Sequence, residues 1–353
     1  MSNHSYWSDL VHSLHPYVPG EQPQTQNIIK LNTNENPYPP SPEVMAALNQ
    51  FDMERLRLYP DPESVELKKT IAAYHALNVD QVFVGNGSDE VLALAFMAFF
   101  FGRGPILFPD ITYSFYPVYC QLYQIEYKNI PLDDQLKINV DDYAVNNSGV
   151  IFPNPNAPTG RLLALEEIER LLQINQHAVV IVDEAYIDFG GVSADRLVNQ
   201  YKNLLVIQTF SKSRSLAGMR LGYALGHENL IEGLLRVKNS FNSYPLDRLA
   251  QEAGRIAIAD EDYFKATCNK VVAERERMVS ELEAMGFEVL PSAANFVFAK
   301  HSKIEGQTIY EMLKQKSIYV RHFNKPRIND YVRITVGRRD QVDALITALK
   351  TQL

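Results

Sequence analysis

The chain has 353 residues, 46% hydrophobic and 22% charged, with 17 glycines and a formal net charge of −8. That composition excludes a disordered chain, a collagen-like repeat and a broadly basic binder of nucleic acid or anionic membrane. The length suits about two domains of ~150 residues, one large domain being the other possibility.

The first forty residues are punctuated by His15-Pro16, Pro19-Gly20, Asn36-Pro37 and Pro39-Pro40, and predict an arm with little regular structure. From there, helices alternate with short apolar strands. Helical spacing covers 62–77, a strand follows at 81–84, and a Ser/Asp-led helix spans 88–101. Strands are predicted at 105–108 and 149–152, a helix at 165–174, and a β-branched strand at 178–182. Two more strands are expected at 204–209 and 220–226. This alternation predicts an α/β fold with a mostly parallel central sheet flanked by helices.

After about Tyr244 the texture changes. A charged helix over 261–285, a strand at 295–299, a helix at 306–316, a strand at 331–336 and a helix at 340–350 predict a smaller α+β domain. The expected division is an arm over 1–40 that belongs with the small domain, a large domain over 41–244, and the small domain over 245–353. Cys120 and Cys268, far apart, suggest neither a disulfide framework nor a metal site. The opening residues lack a basic segment followed by an apolar one, and the longest apolar run, 91–101, falls short of the ~20 residues of a membrane span. A soluble, cytoplasmic protein is expected.

Four turns could carry chemistry. Thr209-Phe210-Ser211-Lys212 follows an apolar strand, so Lys212 stands just beyond a carboxyl end, the edge where α/β sheets place ligands. A lysine there can condense with a carbonyl cofactor, while the surrounding hydroxyls and Arg220 suit a phosphate. Asp183 closes a buried strand and needs a cationic or N–H partner, such as a protonated pyridine nitrogen; Tyr186 lies three residues on. Mg²⁺ is the weaker alternative, because no phosphate-binding G-x-x-x-x-G-K-[ST] loop is present. Gly85-Asn86-Gly87-Ser88-Asp89 leads from a strand into a helix whose free N–H groups could cradle a phosphate. Asn154-Pro155-Asn156-Ala157-Pro158-Thr159-Gly160 forms a rigid turn at the same edge. Together these supply the groups that hold pyridoxal 5′-phosphate. No metal site is expected.

The joint pattern resembles the aspartate aminotransferase superfamily, the fold type I pyridoxal-phosphate enzymes. More narrowly it resembles the histidinol-phosphate aminotransferase family, through Leu31-Asn32-Thr33-Asn34-Glu35-Asn36-Pro37, Leu58-Tyr59-Pro60-Asp61, Asp183-Glu184-Ala185-Tyr186, Ser211-Lys212 through Arg220, and Val332-Arg333-Ile334-Thr335-Val336-Gly337. The resemblance implies that Lys212 holds the cofactor covalently and then carries a proton between the substrate Cα and the cofactor. It gives Asp183 the pyridine nitrogen and Tyr186 the ring's phenolic oxygen. Gly87, Ser88, Asp89, Thr209, Ser211 and Arg220 would surround the phosphate, and Tyr59 would reach it from a neighbouring subunit of a homodimer. Tyr113 would stack on the cofactor, Arg333 would take a substrate carboxylate, and Arg321 with Tyr17 and Tyr113 a substrate phosphate. Asn34 would close over the site. One departure stands out: the family's ring-contacting Asn falls at Ala157 here, so either Asn156 makes that contact from a shifted turn or Tyr186 makes it alone. The activity implied is transamination of L-histidinol phosphate with 2-oxoglutarate. The alternatives are an aromatic amino-acid aminotransferase, a phosphothreonine decarboxylase of the same superfamily, or a non-catalytic partner-binding member.

Overall fold

The computed structural model describes residues 6–17, 20–21, 23 and 27–351. Part of the expected arm, including Pro19, lies outside them. A short strand β1 (Ile29–Lys30) precedes β2 (Val82–Asn86), β3 (Ile106–Pro109), β4 (Tyr127–Ile130), β5 (Gly149–Pro153), β6 (Val179–Asp183), β7 (Leu204–Thr209) and β8 (Leu221–Gly226). The last seven form one sheet in the order β2-β8-β7-β6-β5-β3-β4, parallel throughout except for β8, which runs against both its neighbours.

Alternation along these strands fills two cores. Val180, Val182, Val206 and Phe152 face one layer, whereas Ile151, Ile181, Leu205 and Ile207 face the other. Strands buried on both faces appear in sequence as unbroken apolar runs, which is why β6 and β7 stand out. Helices Pro42–Asn49, Val65–Tyr74, Leu165–Ile174 and Arg248–Ala259 cover the first face. Gly87–Ala95, Tyr116–Leu122 and Glu228–Phe241 cover the second. In Leu165–Ile174 the positions Ile168, Leu171 and Leu172 are fully buried, each worth ~1.5–3 kcal/mol of apolar burial.

The remaining strands are β9 (Phe287–Val289), β10 (Phe296–His301), β11 (Ile318–Tyr319), β12 (Arg321–His322) and β13 (Tyr331–Thr335). An antiparallel sheet runs β12-β13-β10-β9, while β11 pairs in parallel with β1. Its core takes Leu31 from the N-terminal segment together with side chains from helices Glu261–Ala284, Gly306–Gln315 and Arg339–Lys350. Asp260 starts the longest of these by accepting the Tyr263 N–H on its carboxylate at 3.3 Å.

Three differences from expectation have physical causes. The helix expected over 88–101 ends at Ala95 and continues as a π-turn over Phe96–Phe100, which packs its phenylalanines in the second core. Strand β4 is an edge strand with Tyr127, Lys128 and Asn129 exposed, so it carries no apolar run. Helix Arg248–Ala259 lays Ala250, Ala253 and Ala257 on the large core, and we place the change from one core to the other near Asp260 rather than at 244–245. Gly254 lets this helix approach closely, since a Cβ would press on the side-chain ends of Leu221 and Leu67 at 2.9 and 3.1 Å.

Candidate active site

Because β2 and β7 point the same way and β8 runs between them in reverse, the end of β2, the start of β8 and the ends of β5, β6 and β7 meet at one edge. A cavity of about 320 Å³ opens there, roofed by β12, β13 and the N-terminal segment. It gathers Ser88, Asp89, Tyr113, Asp183, Tyr186, Thr209, Ser211, Lys212 and Arg220 from the large sheet's side, with Tyr17, Asn34, Arg321 and Arg333 across from them.

Asp183 forms the floor. Tyr116 donates its hydroxyl to Asp183 Oδ2 at 2.9 Å, while Oδ1 is buried without a partner. Burial pushes the carboxyl up to about 7; the Tyr116 hydroxyl and the Ala185 N–H oppose that rise, and the Asp89 charge adds to it. Lys212 Nζ donates to the Thr33 carbonyl at 3.0 Å and lies 5.9 Å from the centre of the Tyr186 ring. The Tyr186 hydroxyl in turn accepts from Asn34 Nδ2 at 3.1 Å.

At the other end, the first turn of helix Gly87–Ala95 faces the loop after β7. Thr209 Oγ1 donates to Ser211 Oγ at 3.0 Å, and Arg220 reaches Asp89 at 3.4 Å from a left-handed backbone (φ +51°). Gly87 (φ +80°) lies against the Arg220 guanidinium, where a Cβ would stand 2.6 Å from Nη2. Tyr113 donates to Asp89 Oδ1 at 3.0 Å, and burial with that carboxylate raises its pKa.

Arg321 and Arg333 stand directly opposite each other on β12 and β13. Arg333 Nη2 donates to the Asn32 carbonyl at 2.9 Å, its Nε is buried without a partner, and burial pulls its pKa down. Neither arginine forms an ion pair among the described residues. Phe323 lies under both guanidinium groups, at 5.6 and 5.5 Å.

Two expected residues stand elsewhere in this chain. Asn156 lies beneath the cavity rather than in it: its amide donates to the Ile111 carbonyl and to Thr159 Oγ1, both at 3.0 Å, and Ala157 takes the wall. Tyr59 is 78% exposed and stacks on Tyr244 at 4.7 Å, outside its own chain's cavity. Tyr116, Thr112, Phe323 and the Thr33 carbonyl were not anticipated. Nothing local marks Tyr116 among 19 tyrosines, and a main-chain carbonyl has no sequence signature.

The donor set fits pyridoxal phosphate on two observations. Asp183 Oδ1 is a buried acceptor that lacks a donor, as a pyridine N–H would supply. Gly222 on β8 also lets that strand pack against the helix start, where a Cβ would collide with Ser88 N and the Gly87 carbonyl carbon, and so keeps Ser88 and Asp89 on the cavity wall.

A family model described as "Aminotransferase class I and II" matches residues 26–349. The chain is 60% identical over 351 residues to histidinol-phosphate aminotransferase 1 of Hydrogenovibrio crunogenus, covering 98% of this chain and 99% of that one. It is 59% identical to histidinol-phosphate aminotransferase 2 of Thiobacillus denitrificans, covering 99% and 98%. Its fold matches the histidinol-phosphate aminotransferase of Sinorhizobium meliloti in complex with pyridoxal-5′-phosphate, with a TM-score of 0.90 at 23% identity over 100% of both chains. The L-threonine-O-3-phosphate decarboxylase of Porphyromonas gingivalis shares that fold at a TM-score of 0.80 and 23% identity, over 92% and 99%. With relatives this similar along its whole length, the chain belongs to the class I and II aminotransferases and, within them, to the pyridoxal phosphate-dependent histidinol-phosphate aminotransferase family.

Proposed function

We propose that the chain transfers an amino group between L-histidinol phosphate and 2-oxoglutarate, giving imidazole acetol phosphate and glutamate, a step of histidine biosynthesis. The observation that carries this reading is the arginine pair. Like charges directly opposite in a sheet are destabilising, so two unpaired guanidinium groups facing one cavity fit anionic ligands. Histidinol phosphate brings a phosphate for Arg321, with Tyr17 beside it. Glutamate brings carboxylates, one of which suits Arg333.

Bound pyridoxal phosphate supplies a carbonyl that condenses with amines and a ring that accepts the electron pair left when the substrate Cα–H bond breaks. In this reading Lys212 would hold the cofactor through its Nζ and, once released, its amino group would serve as the base that takes the proton from the substrate Cα and gives it back. Asp183 Oδ1 accepts the ring N–H and keeps the nitrogen protonated. Tyr186, itself held by Asn34, donates to the phenolic oxygen, a role we assign to Tyr186 without Asn156. Ser88 and Asp89 N–H groups, Thr209, Ser211 and Arg220 would hold the phosphate, and Tyr113 would lie against the ring. The exposed Tyr59 supports a homodimer in which it reaches the neighbouring subunit's phosphate.

Arg321→Ala and Arg333→Ala separate the two half-reactions. Losing a charge-assisted contact worth ~1.5–3 kcal/mol should raise the KM for histidinol phosphate roughly 10–100-fold in Arg321→Ala, with glutamate little changed. Arg333→Ala should do the reverse. Equal turnover of phenylalanine and histidinol phosphate by the wild type would favour an aromatic aminotransferase, and release of CO₂ from phosphothreonine a decarboxylase.

A further inference from the structure

The segment around Asn36 does something at Lys212 that its place in a family motif does not explain. Asn36 Nδ2 donates to the main-chain carbonyls of Lys212 at 2.9 Å and Ser213 at 3.2 Å, gripping the peptide on the carboxyl side of the lysine. Its own Oδ1 accepts the Tyr38 N–H at 3.0 Å, which fixes the amide's orientation. Three residues earlier, the Thr33 carbonyl accepts the Lys212 ammonium at 3.0 Å. Between them Asn34 adopts a left-handed backbone (φ +57°), a conformation asparagine tolerates, so the chain reverses and both groups can address the same lysine.

This bracket is anchored to the small domain. Thr335 donates its N–H to the Leu31 carbonyl at 2.9 Å, its hydroxyl accepts the Asn34 N–H at 3.0 Å, and Asn295 Nδ2 donates to the Asn34 carbonyl at 2.9 Å. On its far side, Ser213 is held through its hydroxyl by Asp188 at 2.5 Å. Lys212 leaves β7 in a loop rather than a strand or helix, so these contacts take the place of a regular ladder in fixing its main chain.

We propose that Asn36 is a positioning residue for Lys212, holding its main chain while the Thr33 carbonyl receives its amino group whenever that nitrogen is not bonded to the cofactor. This rests on the reading of Lys212 given above. A lysine that leaves the cofactor and returns in each cycle needs a defined resting partner and a fixed base, or the proton transfer loses its geometry.

Asn36→Asp keeps the shape but removes both donors. Loss of both contacts to the Lys212 main chain predicts a drop in kcat of about tenfold or more, with KM for both substrates within about twofold. In the cofactor-free protein mixed with pyridoxal phosphate, the absorbance change that reports capture by Lys212 should slow by a similar factor. In a Lys212→Ala background rescued with methylamine, Asn36→Asp should cost nothing further, because its effect passes through the missing side chain. If borohydride fixes no cofactor to Lys212 in the wild type, the reading of the site fails. If it does, then wild-type kcat and capture in Asn36→Asp, a raised KM with kcat unchanged, or an equal loss in the rescued background would overturn the role of Asn36.

Discussion

Asp183 shows how burial turns a common side chain into a specific acceptor. Its ordinary value is 3.8, and burial lifts it to about 7, while the adjacent Glu184, fully buried among Ser193, Ala194 and Gln208, rises to about 8. A carboxyl that binds its proton more tightly folded than unfolded favours the native state below about pH 4 and loses that contribution as pH rises to its folded value. The cofactor-free protein should therefore melt at falling temperature between pH 4 and 8, with a drop on the order of 2–5 °C attributable to Asp183. Asp183→Asn should remove the Asp183 share of that slope, which ends near pH 7, and leave the Glu184 share, which runs on to about pH 8. Loading pyridoxal phosphate should also flatten it, because a ring N–H then favours the ionised carboxylate. Calorimetry of the apo protein, the loaded protein and the variant checks all three. The need for Asp183 to find a donor was legible from a buried strand ending in an acid. The Tyr116 hydroxyl that occupies its other oxygen was not, being 67 positions away with no local pattern to single it out.

At the scale of elements, the antiparallel β8 decides where the Ser88–Arg220 end of the cavity can form. Its reversal puts Gly222 against the first turn of helix Gly87–Ala95, with Arg220 just before it. Gly222→Ala would push a methyl group into the Ser88 main chain, so the helix start must shift. The expected result is a 10-fold or greater loss of pyridoxal phosphate affinity, about 1.4 kcal/mol, with the secondary structure kept. Titration followed by absorbance, with far-ultraviolet circular dichroism alongside, measures both. The β-turn-α arrangement of these elements was readable because strands buried on both faces leave apolar runs ended by polar turns. Helix Arg248–Ala259 is harder to read because its buried side, Ile258 apart, is built of alanine and glycine. At Asn156 the turn's sequence shows which amide is present, not which neighbours its Nδ2 meets, here the Ile111 carbonyl and Thr159.

For the whole molecule, the site belongs to no single layer. The large sheet's edge supplies Asp183, Lys212 and the helix start, the four-stranded antiparallel sheet supplies Arg321 and Arg333, and the segment at 31–36 ties the two together. No helix among the described residues is long and apolar enough to cross a membrane. These long-range pairings are what a linear reading could not reach, because the partners of Lys212 lie 176 and 179 positions away along the chain. The turns themselves were visible. Borohydride reduction of the loaded protein, followed by peptide mass mapping, tests whether Lys212 is the lysine that carries the cofactor. A pyridoxyl phosphate adduct is expected on the peptide containing Lys212 and none in Lys212→Ala. An adduct on another lysine, or no adduct in protein shown to bind pyridoxal phosphate, would contradict it.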